Sequence, residues 1–206
     1  MRSITKTIVI AASTIALCLG LAACGGGQSS STDNAASGEK TAPAAQEESK
    51  DVDFYMFKGE MPEGYGLTGP NGNSSPLNIV EFRNIKNPDK IVDIEIDEGS
   101  AQEQFDKAAA KDKYTAGDDV KLGKYTWKTL NFTWNKQPSV ILYTDIADGL
   151  YAEVTLYETT LDDAAVKAFL EGVEFATDYD AAHKAGMDTT VEKFAANNNL
   201  KLWEAK

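Results

Sequence analysis

The chain has 206 residues, 20 Lys and Arg against 32 Asp and Glu, and a net charge of −12. An acid excess of this size repels phosphate backbones and anionic lipid surfaces, so nucleic acid is excluded as a partner and a basic membrane-binding patch is not expected. Two cysteines, Cys18 and Cys24, and a single histidine, His183, leave little material for metal or triad chemistry. The first segment, residues 1–23, opens with Arg2 and Lys6 and continues as a run of 14 uncharged residues, mostly apolar, from Ile8 to Leu21. A basic start, a short apolar core and small residues before a cut are the layout of a secretory signal. A bilayer span needs about 20 residues, so a spanning helix is not expected.

The run ends on Leu21-Ala22-Ala23-Cys24, which resembles the lipobox of bacterial lipoproteins. That resemblance implies a diacylglycerol on the Cys24 thiol, cleavage before Cys24, and an extracytoplasmic chain held to a bacterial cell membrane by lipid. The plainer alternative is an ordinary signal peptide with an incidental cysteine. Cys18 leaves with the leader, so the mature chain has one cysteine and no internal disulfide. Losing Arg2 and Lys6 takes the net charge to −14, 18 basic against 32 acidic residues. Two acyl chains anchor durably where one does not.

After Cys24, residues 25–50 contain no Phe, Trp, Tyr, Leu, Ile, Val or Met. A segment with nothing to bury cannot offset its ordering entropy, so residues 24–50 are read as lipidated cysteine plus linker. All 19 aromatic residues follow, and 51–206 is read as one domain of 156 residues. Asp51 to Gly59 reads as a first strand and Pro76 to Asn84 as another. Val92, Ile94 and Ile96 alternate with Asp93, Glu95 and Asp97, the pattern of a half-buried strand. Ser100 and Glu103 form a capping box for a helix with Ala101, Phe105, Ala108 and Ala109 on one face.

Leu122 to Trp134 changes phase between Trp127 and Leu130, which predicts a bulge. Ser139 to Ile146, nearly all apolar, reads as a central strand, and Asp148-Gly149 as a hairpin turn into Leu150 to Glu158. Tyr125 to Glu158 is therefore an antiparallel three-strand meander. Thr160 with Asp163 caps a helix whose stripe is read as Leu161, Ala164, Ala165, Ala168 and Phe169. Gly172 ends it, and Val173-Glu174-Phe175 adds a short strand. Residues 176–206 form a helical extension, with Thr189 and Glu192 capping a last helix that turns Val191, Phe194 and Ala195 inward. This order predicts an α+β fold, an antiparallel sheet with helices packed on it.

Three stretches carry a second resemblance: Met61 to Thr68 ("MPEGYGLT"), the meander beginning at Gly123, and Val166 to Phe175 ("VKAFLEGVEF"). They are similar to the PsbP-like fold, which also occurs in small bacterial lipoproteins. Pro62, Gly64 and Tyr65 match its Pro-x-Gly-aromatic turn, with Tyr65 where Trp is usual, and Val173-Glu174-Phe175 matches its closing strand. Ala176 to Lys206 lies outside the pattern. The resemblance implies a non-enzymatic docking or assembly-assisting domain.

Gly64 to Gly69 spells Gly-x-Gly-x-x-Gly, but Pro70 to Asn73 follows where a phosphate-cradling helix is required, so these are read as loop glycines. Asp178, Asp180 and His183 share a helical spacing that could hold a divalent metal. Exposed polar residues on a short helix are the better reading, and no metal, cofactor or catalytic residue is assigned. Ser-His-Asp chemistry would have to run through His183, with no Gly-x-Ser-x-Gly elbow to serve. Tyr125, Trp127, Trp134 and Tyr143, interleaved with Lys121, Lys124 and Lys128, have two readings. The favoured one turns the aromatics into the core and leaves the lysines as a solvated edge. The sharper one makes Tyr125, Trp127, Lys124 and Lys128 a partner-binding face. The function expected is a non-catalytic, lipid-anchored module for a protein partner, of open oligomeric state; the alternative is a surface receptor for a small solute or cell-wall fragment.

Overall fold

The computed structural model describes residues 51–205, so Cys24, the leader and the linker lie outside the described residues. Eleven strands and four helices occur among the described residues. In chain order they are β1 (Val52–Asp53), β2 (Phe57–Gly59), β3 (Tyr65–Thr68), β4 (Val80–Asn84), β5 (Ile91–Glu98), α1 (Ala101–Ala109), β6 (Thr115–Ala116), β7 (Val120–Leu122), β8 (Tyr125–Trp134), β9 (Gln137–Ala147), β10 (Leu150–Tyr157), α2 (Ala164–Gly172), β11 (Glu174–Phe175), α3 (Tyr179–Met187) and α4 (Val191–Asn198). The large sheet runs β3-β4-β5-β10-β9-β8-β6 with β7 beside β8, and β1-β2-β11 form a small second sheet. Every strand pairing is antiparallel, and the architecture is α+β as expected.

The meander β8-β9-β10 forms as the alternation predicts, and β10 then pairs with β5 across eight residues. Two short turns set its register. Asn135 and Lys136 both have positive φ, 48° and 67°, the geometry of a two-residue hairpin turn that matches strand twist. Gly149, at φ 72°, turns the β9–β10 hairpin.

The large sheet buries both faces, unequally. One face, with Leu67, Phe82, Ile94, Leu142 and Val154, packs under the small sheet, α2 and α4. Phe54, Phe57, Phe82 and Phe169 make edge-to-face and stacked contacts there, each adding about 0.5–1.5 kcal/mol beyond area burial. The opposite face holds a smaller cluster of Leu130, Ile141, Tyr143 and Tyr151 beneath α1.

Several expectations are corrected. Asp51 to Gly59 is a tight hairpin of β1 and β2, because Tyr55 takes φ 69° and the Phe54 N–H bonds back to the Phe57 carbonyl at 2.8 Å. Residues 76–79 lead into β4 without joining it, and the strand begins at Val80. No bulge interrupts β8, whose pairing with β9 is regular from Lys128 to Trp134. The phase change arises because Trp127 points into the main core while Leu130 points under α1. The irregularity lies instead at Leu150/Tyr151. Ser100 is the first residue of α1's cap but makes no side-chain capping bond; the Ala101 N–H donates to Asp145 Oδ1 of β9 at 2.7 Å. In α2 the cap is Asp163, not Thr160, and the buried residues are Val166, Phe169 and Leu170, with Ala164 and Ala168 exposed. Thr190, not Thr189, caps α4, whose inward Val191, Phe194 and Ala195 are as expected.

Candidate functional site

The chemistry-bearing groups gather on the α1 face of the large sheet. In β5, Asp93, Glu95 and Asp97 all point to this face, opposite Val92, Ile94 and Ile96 in the core. Register places Glu81 of β4 opposite Asp93, and Glu153 of β10 opposite Glu95. Like charges directly opposed across a ladder destabilise it. Four carboxylates thus meet across three strands, and α1 reaches only the β8–β10 end of this face.

The surroundings make this arrangement costly. Burial is the largest influence on Asp93, followed by the charges of Glu81, Glu95 and Glu153, and together they push its carboxyl up to about 7. Its Oδ1 is buried without a hydrogen-bond partner. Burial also raises Glu95, aided by Glu153 and Asp97. Glu153 is raised by burial and pulled back by the hydroxyls of Thr155 and Tyr143 and the charge of Lys111. The Thr155 hydroxyl donates to Glu153 Oε1 at 3.3 Å. Glu81, 5% exposed, is answered by Arg83, whose Nε donates to Glu81 Oε1 at 2.7 Å.

Tyrosines border the acids. Tyr143 lies opposite Glu153 and Tyr151 opposite Asp97. Burial first, and these carboxylates next, raise both phenols. Tyr157 continues the row toward Phe132 and Trp134, with ring centroids 6.0 and 5.2 Å away. Trp134 is 48% exposed, so an apolar rim adjoins the acid surface. Glu81, Tyr143 and Tyr151 are buried, so what this face presents is the carboxylates of Glu95, Asp97 and Glu153 and the phenol of Tyr157. It suits a cationic or donor-rich surface.

The residues singled out in the sequence are placed apart. Trp127 is fully buried, edge-on to Phe175 at 5.9 Å, so it belongs to the core and not to an exposed face. Tyr125 is half-buried on the same side, and its hydroxyl accepts from the Phe175 N–H at 3.0 Å. Lys124 lies over the Tyr125 ring at 5.3 Å and pairs with Glu174 at 3.4 Å. Lys128 points to the other face, over Phe105 at 5.6 Å and toward Asp119 at 3.7 Å. Asp178 caps α3 by accepting from the Ala181 N–H, and His183 stacks on Tyr179 at 5.4 Å. Among the described residues no three His, Cys, Asp or Glu side chains are placed to hold a metal ion.

Two of the Gly-x-Gly-x-x-Gly glycines are explained by close approach. A Cβ on Gly66 would lie 2.6 Å from the Trp203 nitrogen, and one on Gly69 would overlap the Ser75 hydroxyl. The acid face itself was half legible. The alternation in β5 marks its acids as one surface, but their meeting with Glu81 and Glu153 depends on register between strands distant in sequence.

A second feature is a cleft of about 480 Å³ between α2 and the loop before β3, where Ala165, Ala168 and Phe169 lie beneath Glu60 and Glu63. Asp163 ties this region together: it caps α2 while Lys90 and the Tyr65 hydroxyl each approach its Oδ2 at 3.4 Å. Burial and the Asp163 charge push the Tyr65 phenol up to about 12.

No protein-family description matches the chain, and no curated protein is similar to it in sequence. Two solved structures are similar in part. A crystal structure from Bacteroides thetaiotaomicron VPI-5482 matches at 12% identity and a TM-score of 0.38 over 60% of this chain. This chain spans 46% of that protein's length. The solution structure of cyanobacterial PsbP (CyanoP) from Synechocystis sp. PCC 6803 matches at 13% identity and a TM-score of 0.37, over 62% of this chain and 91% of that one. At superpositions this loose the α+β architecture rests on the chain's own topology.

Proposed function

We propose that this protein is a non-catalytic binding module, tethered by lipid on Cys24 to the outer surface of a bacterial membrane, whose acid–tyrosine sheet face docks a basic protein segment. The observation that carries the reading is the acid-on-acid register of Glu81 with Asp93 and Glu95 with Glu153. Such pairing weakens the free fold. A partner's Lys or Arg placed against it would recover that energy, which is how a binding surface differs from a scaffold. The half-covered sheet supplies area, and the Tyr157–Trp134 rim supplies apolar anchors. The leader and lipobox support the tether, and the aromatic-free linker supplies reach.

Titration of the full-length chain with a lysine-rich peptide tests the docking face. A Glu95→Gln/Glu153→Gln double variant is compared with Glu171→Gln/Glu174→Gln, which removes two exposed charges elsewhere. The face variant loses roughly tenfold in affinity and the control loses little. Equal losses in both would reduce the binding to net charge and end the reading. Intact mass of the membrane-extracted protein, with and without Cys24→Ser, reads the lipid directly.

A further inference from the structure

We infer that the clefts flanking Trp203 form a second binding site, separate from the acid face in its chemistry, for an acidic saccharide. Trp203 is held by its backbone. Its N–H donates to the Leu67 carbonyl at 3.0 Å, and its carbonyl accepts from the Asn73 side chain at 3.2 Å. Gly66 leaves the space that this approach requires. The ring is thus presented from a fixed platform, half-buried, with clefts of about 330 and 380 Å³ beside it. Both clefts are lined by Ile85, Trp203 and Glu204.

The rims are basic in a strongly acidic chain. Arg83 and Lys86 edge one cleft and Lys201 the other. Arg83 lies 5.1 Å from the Trp203 ring centre and gives its Nε to Glu81, leaving two terminal amino groups beyond that bond. Each part selects a ligand feature. The bidentate-capable Arg83 guanidinium with Lys86 takes a carboxylate in one cleft, and Lys201 offers a second cation in the other. The electron-rich ring face takes the polarised C–H face of a sugar. The Glu204 carboxylate accepts from hydroxyls. A bare phosphate would leave the Trp203 ring unused and would offer no extended array of hydroxyls to Glu204. An acidic peptide offers charge without the hydroxylated flat face. The acidic saccharide satisfies all three, and each cleft is near the lower bound of small-ligand sites.

The test is calorimetric titration of the full-length chain with a galacturonic acid trisaccharide, its neutral galactose counterpart, and an acidic tripeptide. The acidic saccharide binds, while the neutral sugar and the peptide bind roughly tenfold more weakly. Lys86→Glu/Lys201→Glu, both surface changes, removes that binding while the chain keeps a cooperative unfolding transition. Trp203→Leu keeps the backbone bonds and also removes it, and Glu95→Gln/Glu153→Gln leaves it intact. Absence of saccharide binding by the folded chain would overturn the proposal. So would equal binding of the neutral sugar or the peptide, or binding that survives charge reversal.

Discussion

Asp93 stands where an alternating strand would put a solvated carboxylate, yet its Oδ1 is buried and unpartnered. Its folded value of about 7 lies above the ordinary 3.8, so the folded state holds a proton that the unfolded state releases. Stability from this group is therefore full below 3.8 and is lost progressively as pH rises from there to about 7. That direction is opposite to the usual behaviour of salt-bridged carboxylates. Asp93→Asn mimics the protonated form. Urea unfolding should show it more stable than wild type by up to about 4 kcal/mol at pH 8 and by clearly less at pH 5, the two converging only below about pH 4. A wild-type stability that climbs between those pH values would contradict the placement. The alternation Val92-Asp93-Ile94 shows which way Asp93 points. It cannot show that Glu81 arrives opposite, because that is set by the β4–β5 register.

At the level of elements, what was legible in the sequence depended on how strongly side chains differ between faces. Alternating Ile and Val against Asp and Glu made β5 plain, and Phe194 with Val191 made the inner side of α4 plain. In α2, alanines at 164, 165 and 168 carry little preference for either side, so the sequence does not mark Val166, Phe169 and Leu170 as the buried face. β8 confused the alternation because both of its faces are covered, one by the main core and one by α1. The Asp145 cap on α1 was invisible, since its acceptor lies 44 residues away. Asp145→Ala should cost about 1 kcal/mol and speed amide exchange in the first turn of α1, with β8 and β9 amides little changed. Exchange measured by mass spectrometry separates a local effect from loss of the hairpin.

For the whole molecule, charge is the governing quantity. The chain carries −12, and five of its acids share a half-covered face. Self-repulsion then opposes the compact state, and mobile ions relieve it. Raising ionic strength from about 0.01 to about 1 M at neutral pH should raise the thermal midpoint, and that gain should shrink in Glu95→Gln/Glu153→Gln. The same salt should weaken the lysine-peptide complex, so one variable moves fold and complex in opposite directions.

The segment around Leu202 bears on how copies of this chain treat one another. β3 ends the large sheet, and its Leu67 donates to Lys201 and accepts from Trp203. The tail thereby occupies hydrogen-bonding positions that an open sheet margin would offer to any passing strand. Under the proposed lipid tether, copies gathered on a membrane would meet margin to margin far more often than free ones. A tail that peeled away from Leu67 would open that margin to other copies, so the tail acts as a guard against edge-to-edge pairing.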